Sequence, residues 1–255
     1  MGLFLQQFAN GLMSGCLYGL IALGLTLVYG VMKLSNFAHG EFAMLGGYAT
    51  FFSLTALGNN YLLALVMAML TGIISGLVIN LIAFYPLVKG NPINMMISSL
   101  GVSTLVINLA QYFFTANPRV VQTSFNAKIF RLGPISVTGQ RLLVSVVALI
   151  LSLGVYLIIK RSKFGIAIRA TSSDDVTAML YGMNTRRIAF VTFILGTTLT
   201  AVAGGLMAPL FNVYPSMGLT LTTKSFVVVV LGGMGSVPGA ILGGLIIGLV
   251  ESFGS

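Results

Sequence analysis

Between Leu5 and Val31 the chain runs for 27 residues without one charged side chain. About 20 apolar residues in helical form cross the hydrocarbon core of a bilayer, and aqueous folds have no use for so long a run. Comparable runs follow at 36–57, 61–85, 94–115, 141–160, 188–208 and 225–250. None shows the two-residue alternation of a strand, and in lipid a helix satisfies its own backbone polar groups. Composition supports this: 7% of the 255 residues are charged, with a mean hydropathy of +1.02, against about 25% charged in soluble domains. A water-soluble enzyme is excluded. The expected fold is an all-α polytopic membrane protein of seven to eight transmembrane helices, forming one domain over 1–255.

Thirteen Lys and Arg against four Asp and Glu give a net charge of +9. The cations lie between apolar runs instead of forming a stripe, so they report topology and not a nucleic-acid partner. If the first span ends in the cytoplasm, Lys33, Lys89, Lys160, Arg161, Lys163, Arg169, Arg186 and Arg187 lie inside. Arg119, Lys128, Arg131, Arg141 and Lys224 then lie outside. This bias predicts an outside N-terminus and a cytoplasmic loop at 161–187, with parity reversed if the second span re-enters. Residues 116–140, with Pro118 and Pro134, read as a polar loop. Cys16 is the one cysteine and excludes an intrachain disulfide. The N-terminus lacks a basic leader region and reads as a mature first helix.

Glycine patterns mark close packing or broken helices. Gly11, Gly15 and Gly19 form small-x-x-x-small steps, as do Gly72/Gly76, Gly235/Gly239/Gly243 and Gly244/Gly248; such steps let another backbone approach. HGEFAMLGGY (39–48) and VLGGMGSVPGAILGG (230–244) occupy comparable places in the two halves. Paired broken helices of this kind point to a transport site, while packing alone is the alternative. The expected interruptions are Gly46-Gly47 and Gly232 to Gly239.

His39 and Glu41 invite a catalytic or metal reading, but an i,i+2 spacing points them to different helix faces. No HExxH, G-x-S-x-G, Walker A or CxxC sequence occurs, so neither enzyme activity nor a metal or cofactor is expected. Glu41 lies within two turns of a helix start that Ser35 or Asn36 can cap, where the dipole favours a carboxylate. Either a structural or a pathway role follows from such an intramembrane acid.

The loop 161–187 carries TSSDDVTAMLYGMN (171–184). Ser172 and Asp175 fit a capping box, Asp174 and Asp175 occupy the first turn, and Gly182 is a stop signal. Val176, Met179, Leu180 and Met183 fall at i, i+3, i+4 and i+7, an apolar stripe that needs a surface to cover it.

The run GLIALGLTLVYGVMKLSNFAHGEFAMLGGY (19–48) resembles the permease subunits of branched-chain amino acid ABC importers, the H-type subunit best. IRATSSDDVTAMLYGMNTRRI (168–188) and SFVVVVLGGMGSVPGAILGGLIIGLVES (225–252) resemble the same family. The resemblance implies a pore-forming subunit with a second permease subunit, two cytoplasmic ATPase subunits and a periplasmic substrate-binding protein, all embedded in or against membrane lipid. It also implies that the loop helix docks into an ATPase cleft, with Asp174, Asp175, Val176, Ala178, Met179, Leu180 and Gly182 as coupling residues. Of the importer signature E-A-A-x-x-x-G, Ala178 and Gly182 match. Family members continue into a final helix past Glu251, which this sequence is expected to lack. A self-contained channel or secondary transporter for urea, amides or another small polar solute is the alternative function. The expected translocation pathway comprises Asn36, His39 and Glu41 near the cytoplasmic exit, with exposed backbone at Gly46, Gly47, Gly232 and Gly233.

Overall fold

A computed structural model describes residues 2–56, 58, 60–87, 91–123, 129–132 and 135–254. Lys89, Lys128 and Pro134 of the charge and loop assignments lie outside these residues. The helices are α1 (Gly2–Met32), α2 (His39–Ala56), α3 (Tyr61–Ile79), α4 (Pro92–Phe114), α5 (Gly139–Arg161), α6 (Lys163–Ser173), α7 (Asp175–Leu180), α8 (Thr185–Met207), α9 (Met217–Gly232) and α10 (Val237–Gly254). Among the described residues six helices are long and apolar enough to cross a membrane: α1, α3 with its extension, α4, α5, α8 and α10. α2 and the shorter α9 pack among them, and the protein is an all-α polytopic membrane protein.

Helix ends follow local chemistry. Asn60 accepts from the Leu63 amide at 3.3 Å to open α3, and Asn91 caps α4 with Pro92 just inside it; both are ordinary N-terminal signals. The predicted third span, 61–85, is α3 plus a π-turn at Asn80–Phe84 and a 3₁₀ turn at Tyr85–Leu87. The loop read as polar contains a small antiparallel hairpin, β1 (Ile129–Leu132) and β2 (Ile135–Thr138), with Ile129 opposite Thr138. It is fastened to the start of α1 where the Ser136 amide donates to Gln6 Oε1 at 2.7 Å.

The core is built by backbones in contact. A Cβ at Gly11 would lie 2.8 Å from Leu249 Cα, and one at Gly15 2.7 Å from Leu245 Cα. Gly244 and Gly248 meet α1 from the other side, so α1 and α10 interlock by glycine, the expected use of small-x-x-x-small steps. Gly72 and Gly76 face Ala201 and Thr197 of α8. The third series resolves differently: Gly235 lies in a turn at φ +88°, while Gly239 and Gly243 face Gly232 and Val228 of α9.

Two faces can be told apart. Lys33 Nζ donates to the Ser172 carbonyl at 2.9 Å, which sets the end of α1 against the α6–α7 hairpin. At the other end, Tyr61 Oη donates to the Gly205 carbonyl at 3.3 Å, so α2 passes through to the far face and parity is kept. Lys224 lies within α9 and not in a loop, but it joins Glu251 on the face opposite the hairpin, the side to which the charge pattern assigned it.

Candidate functional site

The second span does not begin at residue 36. Residues 33–38 form no helix, and His39 Nε2 lies 3.0 Å from the Ile21 carbonyl. Ile21 is eleven residues before the end of α1, a depth of roughly 16 Å at 1.5 Å per residue. The chain therefore returns into the bundle as a non-helical segment before α2 starts.

Long-range side chains satisfy that segment. The Phe37 amide donates to Ser99 Oγ at 3.1 Å, and the Gly40 amide donates to Thr222 Oγ1 at 2.8 Å. Asn36 Oδ1 accepts from the Ala38 amide at 3.0 Å, a turn inside the non-helical segment and not a cap on an amide of α2. Non-helical backbone at membrane depth is tolerated only where protein or a cavity replaces lipid, and here protein does. Phe42 packs edge-on to Phe193 at 6.0 Å, anchoring the new helix start to α8.

Asn36, just before α2, and His39 and Glu41 in its first turn are all fully or almost fully buried. They are not at an exposed exit, which corrects the sequence expectation. A carbonyl only accepts, so the His39 nitrogen facing Ile21 carries the hydrogen. Thr200 Oγ1 lies 2.8 Å from the same nitrogen and donates to the Gly196 carbonyl at 2.9 Å. His39 thus ties α2 to α1 and α8. Glu41 turns the other way: Oε1 accepts from Ser103 Oγ of α4 at 3.0 Å, and Gly218 of α9 lies against its carboxylate. No hydrogen bond joins the two among the described residues, and they turn to different faces of α2, as their spacing implied. Asn36 Nδ2, His39 Nδ1 and Glu41 Oε2 each lack a partner among the described residues. Buried polar atoms are normally paired, so three orphans around one helix start call for a function or a ligand.

Gly46 and Gly47 do not break a helix. Both lie inside the continuous α2, where Gly46 abuts the Ala201 carbonyl and Gly47 faces the Val213 side chain. The true interruption is at 33–38, more than two turns upstream. The second expected break is present: α9 ends at Gly232, α10 begins at Val237, and Gly233 and Gly235 take φ of +90° and +88°. Side chains rarely adopt that region. The two interruptions are not level. Gly235 faces Gly30 whereas His39 faces Ile21, nine residues or roughly 13 Å along α1. The residues sequence reasoning missed are Ser99, Ser103, Thr200 and Thr222, whose only signal was being hydroxyls inside apolar runs.

The loop hairpin also differs in register. Ser172 belongs to the last turn of α6, and the cap of α7 is Asp174, which accepts from the amides of Val176 at 3.0 Å and Thr177 at 3.1 Å. Bonds from the Thr177 hydroxyl and amide, then that of Val176, hold the Asp174 carboxyl below the usual carboxylate range. At the other end Gly182, at φ +79°, donates to the Met179 carbonyl at 2.9 Å, and Met183 donates to Ala178 at 3.1 Å. That is the Schellman pattern, so Gly182 is the stop it was read to be. Ala178 is 3% exposed and faces the bundle, while Leu180 is 83% exposed with Val176 and Met179 beside it.

Comparison with known proteins decides the class. Residues 7–255 match the family described as branched-chain amino acid transport system / permease component. The chain belongs to that family. It is 35% identical to the high-affinity branched-chain amino acid transport system permease protein BraD of Pseudomonas aeruginosa, covering 99% of this chain and 86% of the relative. The LivH permease of Escherichia coli K12 gives the same figures. A probable LivH of Methanocaldococcus jannaschii is 32% identical over 91% of this chain and 75% of its own length. No solved structure matches.

Proposed function

We propose that this chain is one permease subunit of an ATP-binding-cassette importer for branched-chain amino acids. It works with a second permease subunit, two ATPase subunits and a substrate-binding protein on the far face. The observation that carries this reading is family membership over almost the whole chain, joined to an uncovered apolar stripe on α7. Exposed Val176, Met179 and Leu180 on a six-residue helix, with exposed Tyr181 just past its end, suit a groove on a soluble partner. The hairpin face is accordingly cytoplasmic, in keeping with seven described cations gathered there: Lys33, Lys160, Arg161, Lys163, Arg169, Arg186 and Arg187.

The chemistry of passage follows from what the substrate needs. A zwitterion leaving water requires partners for its ammonium and its carboxylate, and exposed helix ends with neutral side chains supply them without burying fixed ions. The orphan atoms of Asn36 and His39 are such partners at mid-depth, with Glu41 holding the start of α2 beside them through Ser103. The turn at Gly232 and Gly233 lies nearer the cytoplasm and borders a cavity of about 390 Å³ that includes Gly235, Ser236, Lys160 and Arg169. Gly46 and Gly47 serve packing on this reading. ATP hydrolysis belongs to the partners.

Reconstitution tests the proposal. Leucine uptake into proteoliposomes should require both permeases, the ATPases, the binding protein and ATP. ATP-independent uptake of leucine, urea or an amide by this chain alone would replace the importer with the channel or secondary-transporter reading.

A further inference from the structure

On the face opposite the α6–α7 hairpin, α1, α5 and α10 enclose a cavity of about 210 Å³ whose lining includes Gln7, Asn10, Tyr18, Arg141, Phe211 and Glu251. Drug-sized ligands occupy about 300–1,000 Å³, so this space suits a small metabolite. Charge is scarce in this chain, yet three charged groups converge here. Arg141 Nη1 donates to Asn10 Oδ1 at 2.7 Å. Lys224 Nζ donates to Glu251 Oε1 at 2.6 Å and to Tyr18 Oη at 2.9 Å. The other three acids are elsewhere, Asp174 and Asp175 on the hairpin and Glu41 in the bundle.

Opposite charges across a small space match a molecule carrying both signs on one carbon. The Arg141 guanidinium has donors to spare beyond Asn10, in a fork that fits a carboxylate. Glu251 shares Oε1 with Lys224 and lies beside the Tyr18 side chain, and it is the one acid of the lining that can meet an ammonium. Phe211 offers an aromatic wall to an aliphatic side chain. Glu251 and Lys224 are 46% and 30% exposed at their side chains, so water still screens the site and retention is weak.

We propose that this cavity is the outer receiving site for the substrate zwitterion, Arg141 taking the carboxylate and Glu251 the ammonium. The proposal rests on the importer reading above. The substrate is released by its binding protein into a polar cup and moves from there to the neutral groups at mid-depth.

The test uses the assembled permease–ATPase complex in nanodiscs without binding protein, with weak binding read by saturation-transfer NMR. The probes are L-leucine, L-leucinol, which lacks the carboxylate, and 4-methylpentanoate, which lacks the ammonium. Leucine should bind at least about tenfold better than either analogue, the scale of one charge-assisted contact. Arg141→Gln should weaken leucine by that factor and leave leucinol unchanged, and Glu251→Gln should do the same while leaving 4-methylpentanoate unchanged. Where either variant fails to assemble, Arg141→Lys and Glu251→Asp are read by the same analogue ratios. Variants that assemble and bind all three probes like the wild type overturn the site. Wild-type complex that shows no ATP-driven leucine uptake overturns the importer reading instead.

Discussion

Gly46 lies so close to the carbonyl of Ala201 that a methyl group at position 46 would overlap it. The contact joins α2 to α8 in the middle of the bundle, and because the obstructing atoms are backbone, rotamer changes cannot relieve it. Gly46→Ala should therefore destabilise the protein by about 1–3 kcal/mol, the usual cost of overpacking. Gly101 in α4 has nothing within 4 Å of an added Cβ, so Gly101→Ala should be neutral or stabilising by up to about 1 kcal/mol through helix propensity. Unfolding in detergent compares the two directly. Equal effects would mean that the α2–α8 approach is looser than this geometry.

The contrast shows where the sequence is legible. Apolar run length places α1, α4, α5 and α8 within a few residues of their ends, because crossing lipid needs a fixed length of apolar chain whatever packs around it. A glycine pair, by contrast, reads the same whether it breaks a helix or receives a neighbouring backbone. Gly46-Gly47 receives one, and only the position of Ala201, 155 residues away, decides it. Gly232 to Gly239 could be read as a break because Pro238 and further glycines share the stretch. The start of α2 was not legible either. Residues 33–38 contain no Gly or Pro, and their backbone is satisfied by Ser99 and Thr222, partners 62 and 182 positions from Phe37 and Gly40.

Leu180 separates folding from coupling. At 83% exposed it contributes little to the isolated chain, so Leu180→Asp should leave expression and thermal stability unchanged. At an apolar interface the same carboxylate becomes an unpaired desolvated charge, a cost of several kcal/mol. Association with the ATPases and hydrolysis stimulated by loaded binding protein should fall at least tenfold. Full stimulation in this variant would remove the docking role of α7.

Asp174 makes α7 sensitive to acid. Its carboxyl is depressed by the bonds from Thr177 and Val176, so the cap's contribution is present above the ordinary aspartate pKa. It is lost as pH falls through the lower folded value. Near neutral pH the cap is therefore intact, and Asp174→Ala should reproduce the acid state at any pH. Amide hydrogen exchange at Val176 and Thr177 is the measurement, with faster exchange expected in the variant and in wild type only under acid conditions. Unchanged exchange in Asp174→Ala would place the order of α7 in its Schellman end and not in its cap.

His39 distinguishes a structural donor from an ionisable group. Its Nε2–H faces the Ile21 carbonyl at 3.0 Å and Thr200 Oγ1 at 2.8 Å, and both partners are buried. A glutamine amide can place an N–H donor near the same point, whereas leucine fills the volume and offers none. His39→Leu strands acceptors that have lost their water, a penalty of about 1–3 kcal/mol, and it frees the start of α2 from α1 and α8. His39→Gln should keep most of the stability and assemble with partners, while His39→Leu should unfold at lower temperature and assemble poorly. The glutamine also removes the orphan Nδ1, so the same variant reports on passage. If that lone pair hydrates or guides substrate, His39→Gln assembles normally and transports more slowly. Wild-type transport by His39→Gln would reduce His39 to a tie between three helices and leave Asn36 and Glu41 as the polar groups at mid-depth.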